Sequence, residues 1–171
     1  MTSIRAETSD DYAAIDWLND AAFGQPGEGR LVRALRSKPY FDAGLSLVAE
    51  TGARIVGHIL FSPNRIERDD DGFDALSLAP MSVLPEFQNQ GIGSQLVRRG
   101  LDACRRAGHR IVIVVGHVIY YPRFGFTPAA EHGILPPFDV PPEAFMVLEL
   151  QPGSLRGVHG TVRYPPPFSQ V

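Results

Sequence analysis

The sequence predicts an α/β (α+β) chain: a mixed, mostly antiparallel sheet of six to seven strands with a parallel central pair, and about four helices. Three observations lead there. Two helical patterns occupy residues 8–37, ahead of any long β-branched run. Two hairpin patterns follow over residues 45–83, joined by short polar turns, and hairpins make antiparallel pairs. Strand, helix and strand then succeed one another across residues 73–115, an order that demands a right-handed parallel crossover.

Each element has its own justification. Residues 3–7 read as a short strand. Residues 8–11 offer several capping side chains, after which Tyr12, Ile15, Leu18 and Phe23 recur at helical spacing, with Trp17 beside them. Residues 24–29 interrupt this helix. A second helix over 28–37 carries Leu31, Val32 and Leu35 on one face, and Lys38-Pro39 closes it. Residues 45–50 and 54–67 are strands joined at Thr51-Gly52-Ala53, and 73–83 is the next strand, reached through Asp69-Asp70-Asp71-Gly72. Those aspartates lack the alternating ligands and distal Glu of a calcium loop and read as a solvated hairpin tip.

The central helix spans residues 91–107. Ile92, Leu96, Leu101 and Cys104 share a stripe, while Arg98, Arg99, Arg105 and Arg106 lie off it. Cys104 is thus expected in the core and the arginines in solvent. Gly108 ends the helix as a C-terminal cap. The unbroken β-branched run 111–115 is a strand covered on both faces. A short helix is expected over 119–124 and a last strand over 145–150; Pro136-Pro137 and Pro141-Pro142 bracket an irregular loop. The reading gives one domain over 1–171, whose proline-rich tail at 152–171 lies extended on the surface.

Composition narrows the function. Apolar residues make up 44% of the chain, charged ones 20%, and the net charge is −3. No lysine–arginine block tracks phosphates, which argues against nucleic acid. A single cysteine fits a reducing compartment, and the N-terminus has no apolar signal core, so a cytoplasmic location is expected. No apolar stretch approaches the roughly 20 residues of a membrane helix.

The most informative segment is Val83-Leu84-Pro85-Glu86-Phe87-Gln88-Asn89-Gln90-Gly91-Ile92-Gly93-Ser94. A strand runs into an amide- and glycine-rich turn, and an amphipathic helix leaves it. Such a junction gathers free backbone N–H groups at the positive end of a helix dipole, which suits a phosphate. It is not a nucleotide-binding P-loop, because Gly93 is followed by Ser94-Gln95 and not by Lys-Ser/Thr. A dinucleotide fingerprint would want a small residue at Leu96 and an acid where Gly116-His117 stands.

This loop resembles the pyrophosphate-binding loop of the GCN5-related N-acetyltransferases (GNAT). Gln88 stands where many relatives have Arg, and Asn89 where they have Gly; Asn tolerates the left-handed turn. A second motif lies some thirty residues on: Tyr120-Tyr121-Pro122-Arg123-Phe124-Gly125-Phe126, in which Tyr121 keeps the family's spacing from its Gly-Phe pair. Its wording, with Gly160-Thr161-Val162-Arg163-Tyr164-Pro165, looks like the YhbS-like branch of that superfamily. The resemblance implies the GNAT fold and direct transfer of an acetyl group from acetyl-CoA to a primary amine, without a metal. It implies that backbone of Met81, Ser82 and Val83 lies along the pantetheine arm. Gln88, Asn89, Gln90, Gly91, Ile92, Gly93 and Ser94 would hold the pyrophosphate, and Tyr121 would serve as general acid.

The acceptor stays open between a small-molecule amine and a peptide N-terminus, and the assembly between monomer and homodimer. Glu67, Asp74, His117, Glu131 or an ordered water are the candidate bases; His58, inside an apolar strand, reads as a satisfied core residue. Two alternatives are a larger acyl donor, which Gly57 and the residues facing the sulfur would decide, and a non-catalytic CoA-binding regulatory module.

Overall fold

Period-two and period-3.6 patterning build the elements in the order the sequence implies. A computed structural model describes residues 1–170. The strands are β1 (Thr2–Ala6), β2 (Ser46–Thr51), β3 (Arg54–Arg68), β4 (Asp71–Val83), β5 (Ile111–Val115), β6 (Thr127–Pro128), β7 (Ile134–Leu135), β8 (Phe145–Glu149) and β9 (Gly160–Arg163). The helices are α1 (Tyr12–Phe23), α2 (Gly27–Arg36) and α3 (Ile92–Arg106). The hydrogen-bonded strand order is β1-β2-β3-β4-β5-β8-β6, with β9 on β3 and β7 on β9. The sheet is mixed and mostly antiparallel, with β4 and β5 its parallel central pair.

The described chain divides into two compact units, one of Met1–Ser62, Ala79–Ala103 and residues 166–170, the other of Pro63–Leu78 and Cys104–Pro165. In the first, β1 lies antiparallel on β2 from Thr2↔Thr51 to Ala6↔Leu47, and β2 on β3 from Ser46↔Leu60 to Thr51↔Arg54. On one face the apolar stripes of α1 and α2 bury Ile15, Leu31, Val32 and Leu35 against Val48 and Leu60. Fully burying such a side chain is worth roughly 1.5–3 kcal/mol, which explains why two short helices hold there. On the other face α3 packs closely. A Cβ on Gly57 would stand 2.9 Å from Leu96 Cδ1 and 3.3 Å from Ile92 Cγ2, and one on Gly100 would stand 2.4 Å from the Phe61 ring.

In the second unit, β4 pairs with β5 at Leu76↔Val112 and Ser77↔Ile113. β8 covers all of β5 antiparallel, from Ile111↔Glu149 to Val115↔Phe145. Ile66, Ala75, Ile111, Ile113, Phe145, Val147 and Val162 form its core.

Three expectations are corrected. The fourth helix is a 3-10 turn, Tyr121–Phe124: Pro122 sits in its first turn and Gly125, at φ 100°, ends it in the left-handed region. The strands number nine among the described residues, because the pairs at β6 and β7 and the short β9 are too brief to show periodicity. The tail does not lie wholly on the surface. β9 pairs with β3 through Ile66↔Val162, with Val162 only 1% exposed. Gly160 makes that pairing accessible, since a Cβ there would stand 2.2 Å from the Glu67 carbonyl oxygen. β7 and β9 also form a second parallel pair, which the sequence did not suggest.

Candidate active site

The strand-to-helix junction takes the conformation its residues favour. Beyond Val83 a 3-10 turn over Pro85–Phe87 leads to Gln88, and the chain then reverses through two left-handed residues, Asn89 at φ 63° and Gly91 at φ 84°. Asn and Gly are the residue types that occupy this region at least cost. Gln88, Asn89, Gln90 and Gly91 are exposed, whereas Ile92 is buried and anchors the first turn of α3. The Gln95 N–H donates to the Gly91 carbonyl at 3.1 Å, so the amides of Ile92 and Gly93 lie ahead of the helical ladder. With the helix dipole behind them, they form a polar, positively polarised end.

The loop is tied to β4 by a contact the sequence did not predict. The Gln88 side chain donates to the Val83 carbonyl at 2.9 Å, so its amide braces the turn instead of facing outward. Leu84 N–H in turn donates to the Val56 carbonyl at 2.9 Å. Met81, Ser82 and Val83 therefore end a strand that is held at both sides of the loop. Pro80 has no N–H to extend a ladder, and the parallel register with β5 ends at Ser77↔Ile113.

One acidic side chain stands next to the loop. Glu86 is neutralised by Arg54 at 2.9 Å, and its carboxyl is held below the usual range, first by a backbone hydrogen bond and then by Arg54. Arg54 also lies over the Phe87 ring, 5.6 Å from its centroid. Sequence reasoning missed Arg54 because a hairpin arginine looks like any solvated cation.

In the second unit, Tyr121 opens the 3-10 turn and is 7% exposed. Its ring meets Tyr120 edge-on at 5.1 Å and Phe126 at 5.8 Å. Burial, and secondarily Tyr120, hold its phenol well above the ordinary tyrosine value, so its oxygen keeps its proton and acts as a donor. Gly116 makes this position available: a Cβ there would stand 2.3 Å from Tyr121 Cε2. In sequence, Gly116 does no more than end a strand.

The candidate bases differ in their surroundings. Glu67 pairs with Arg163 at 3.4 Å and Asp74 with Arg65 at 2.5 Å, both in exposed ion pairs. His117 and Glu131 are exposed, and the His117 carbonyl accepts from Tyr120 N–H at 3.1 Å. His58 is buried and hydrogen-bonded through both ring nitrogens, as the apolar strand around it implied. Beside Gly57, Leu96, Ile92 and Ala49 fill the space that a side chain there would take. Among the described residues no group of three or more His, Cys, Asp or Glu is placed to hold a metal, and no helix is long and apolar enough to cross a membrane.

Comparison with known proteins agrees with this geometry. Residues 3–129 match the family model described as an acetyltransferase (GNAT) domain. The chain is 36% identical over 153 residues to the uncharacterized N-acetyltransferase YjhQ of Escherichia coli K12, covering 86% of this chain and 84% of that one. It is 32% identical to YhbS of the same organism over 98% of both chains. The crystal structure of Escherichia coli YhbS in complex with CoA superposes with a TM-score of 0.91, covering 98% of this chain and 92% of that one. A GNAT family acetyltransferase from Brucella melitensis in complex with acetyl-CoA gives 0.79 at 35% identity, over 98% of each chain. By its fold, its glycine turn and these relatives, the chain belongs to the GNAT family of N-acetyltransferases, in the branch of YhbS.

Proposed function

We propose that this protein is an N-acetyltransferase that moves an acetyl group from acetyl-CoA directly to a primary amine, in a small molecule or at a peptide N-terminus. The observation that carries the reading is the left-handed Asn89–Gly91 turn, which leaves the Ile92 and Gly93 amides ahead of the α3 ladder. A diphosphate fits such a donor set, and the exposed loop around it carries no uncompensated acid. Structures of two relatives at 32% and 35% identity, with CoA and with acetyl-CoA, support the same ligand.

When bound, the cosubstrate supplies a thioester whose acyl carbon accepts the amine while the carbon–sulfur bond breaks. The chain's part is to hold and polarise. Met81–Val83 offer a strand edge beyond the paired part of β4, and the main-chain N–H at Val83 or its neighbour stabilises the charge that grows on the acyl oxygen. Losing such a donor costs roughly 2.7–4 kcal/mol in other enzymes. Tyr121 gives a hydrogen bond to the departing sulfur. An ordinary tyrosine, with pKa about 10, already protonates a thiolate of pKa about 8.5 uphill by roughly 2 kcal/mol. Burial makes it a weaker acid still, so it donates a bond, while the amine gives up its proton to water and water returns one to the thiolate.

Calorimetry with CoA is the first test, and thiol release from acetyl-CoA over a panel of amines the second. Heat of binding followed by thiol release is the expected result. No binding to well-folded protein overturns the reading; binding with no release from any amine favours a regulatory CoA-binding module.

A further inference from the structure

The first unit also contains a polar feature away from the glycine turn. A line of polar side chains crosses the unit, buried except for Arg36 at one end, and each of β1's end, α2, β2, β3, α1 and β4 contributes one member. Arg36 meets Glu7 at 3.0 and 3.2 Å. Ser46 Oγ meets Glu7 Oε1 in a short hydrogen bond, and His58 Nε2 lies 2.9 Å from Ser46 Oγ. His58 Nδ1 lies 3.4 Å from Asn19 Nδ2, and Ser82 Oγ 2.9 Å from Asn19 Oδ1. His58 and Asn19 are completely buried and Ser82 is 4% exposed.

Counting protons fixes the direction of every link. The Glu7 carboxylate, paired with Arg36, only accepts, so Ser46 donates its one proton to it. Ser46 must then accept from His58, which places the ring proton on Nε2. Burial, with Arg36 as a second cause, lowers the imidazole to about 3, so the ring is neutral and Nδ1 accepts from the Asn19 amide. The other Asn19 proton goes to the Ile15 carbonyl at 3.0 Å. A flipped Asn19 would set its oxygen against two acceptors, so its Oδ1 faces Ser82 and accepts from it. From Ser82 to Glu7 every link donates in the same direction, and Arg36 closes the line by donating to Glu7 from its far side. Asn19 cannot hand a proton along, so the line is not a proton path.

We propose that this one-way line is a positioning device: it locks the Ser82 hydroxyl inward and ties α1 to β4, so holding the Met81–Val83 edge in the register that acyl transfer uses. The proposal rests on the reading of that edge as the thioester site. A fully satisfied buried network selects one arrangement where an apolar core of the same volume would tolerate several. Ser82, His58 and Asn19 are positioning residues in this sense.

Three measurements test it on the full chain. Nitrogen-15 NMR of the imidazoles should find the His58 proton on Nε2 and unchanged from pH 5 to 9; an Nδ1 proton or a titrating ring overturns the proposal. Amide exchange should quicken at least tenfold at 81–84 relative to 112–114 in Ser82→Ala and His58→Leu. His58→Gln, which can donate and accept in the same order, should stay near wild type. Uniform quickening, or none, overturns it. Thiol release should show kcat down about tenfold in Ser82→Ala with CoA affinity within about threefold, and a wild-type kcat overturns it. Should the wild type acetylate nothing, the proposed function fails while the NMR and exchange results still decide this proposal.

Discussion

Tyr121 depends on a residue five positions earlier, because the Tyr121 ring fills the space where any side chain at Gly116 would stand. Two substitutions separate the hydroxyl from its placement. Tyr121→Phe keeps the edge-on contacts with Tyr120 and Phe126 and removes only the donor. It should lower kcat more than tenfold and leave CoA affinity nearly unchanged, measured by thiol release and calorimetry; a wild-type kcat removes Tyr121 from the mechanism. Gly116→Ala keeps the hydroxyl but drives a methyl to within 2.3 Å of the ring carbon. A comparable loss of kcat is expected, and adding Tyr121→Phe to Gly116→Ala should cost little more, since both changes remove the same contact. If the double variant falls by the product of the two, Gly116 acts elsewhere. The left-handed turn at Asn89 and Gly91 was legible because residue type and spacing record it. The roles of Gly116, Arg54 and the Gln88 amide were not, because each depends on a neighbour brought close only by folding.

At the scale of elements, α3 must deliver its first turn to a fixed place, and β3 sets that place through two close approaches. Gly57 faces Ile92 and Leu96 in the first turns of α3, while Gly100, farther along the helix, accepts the Phe61 ring. A methyl at either position overpacks the interface, at a cost of roughly 1–3 kcal/mol. Both Gly57→Ala and Gly100→Ala should therefore lower Tm. Only Gly57→Ala acts on the turn that holds the Ile92 and Gly93 amides, so it alone should weaken CoA binding, by about tenfold in calorimetry. Equal affinities in the two variants would separate β3 from the loop. Elements of this length were readable from periodicity: the run 111–115 matches β5, and 54–67 and 73–83 fall within a few residues of β3 and β4. What escaped was short or set by distant partners. The two-residue β6 and β7 have no period to detect, and β9 is a strand only because Gly160 lets it lie against the Glu67 carbonyl.

The stability of the whole molecule should fall on both sides of neutrality, for opposite reasons. On the alkaline side, burial raises the phenols of Tyr40, Tyr121 and Tyr164 above the ordinary value of 10.0. The unfolded chain ionises first, so their contribution is intact below about pH 10 and is lost above it. On the acid side two groups act in different windows. The Arg5 hydrogen bond holds Asp11 at about 2 against 3.8, so that stabilisation is present above pH 3.8 and disappears as pH falls through 2. His58 acts earlier. Its folded value of about 3 lies below 6.5, so between those values the unfolded chain binds a proton that the folded chain refuses. Stability must then drop as pH falls from 6.5, by up to about 1.4 kcal/mol per pH unit from this residue alone. Urea unfolding at pH 7, 6, 5 and 4.5 reads this slope directly. The wild type should lose about 2.5 kcal/mol over that range, and His58→Gln, which has nothing to protonate there, should lose far less even if it starts lower. Parallel curves for the two proteins would mean that His58 carries a proton in the folded state, and the buried line from Ser82 to Glu7 would then lose its single direction.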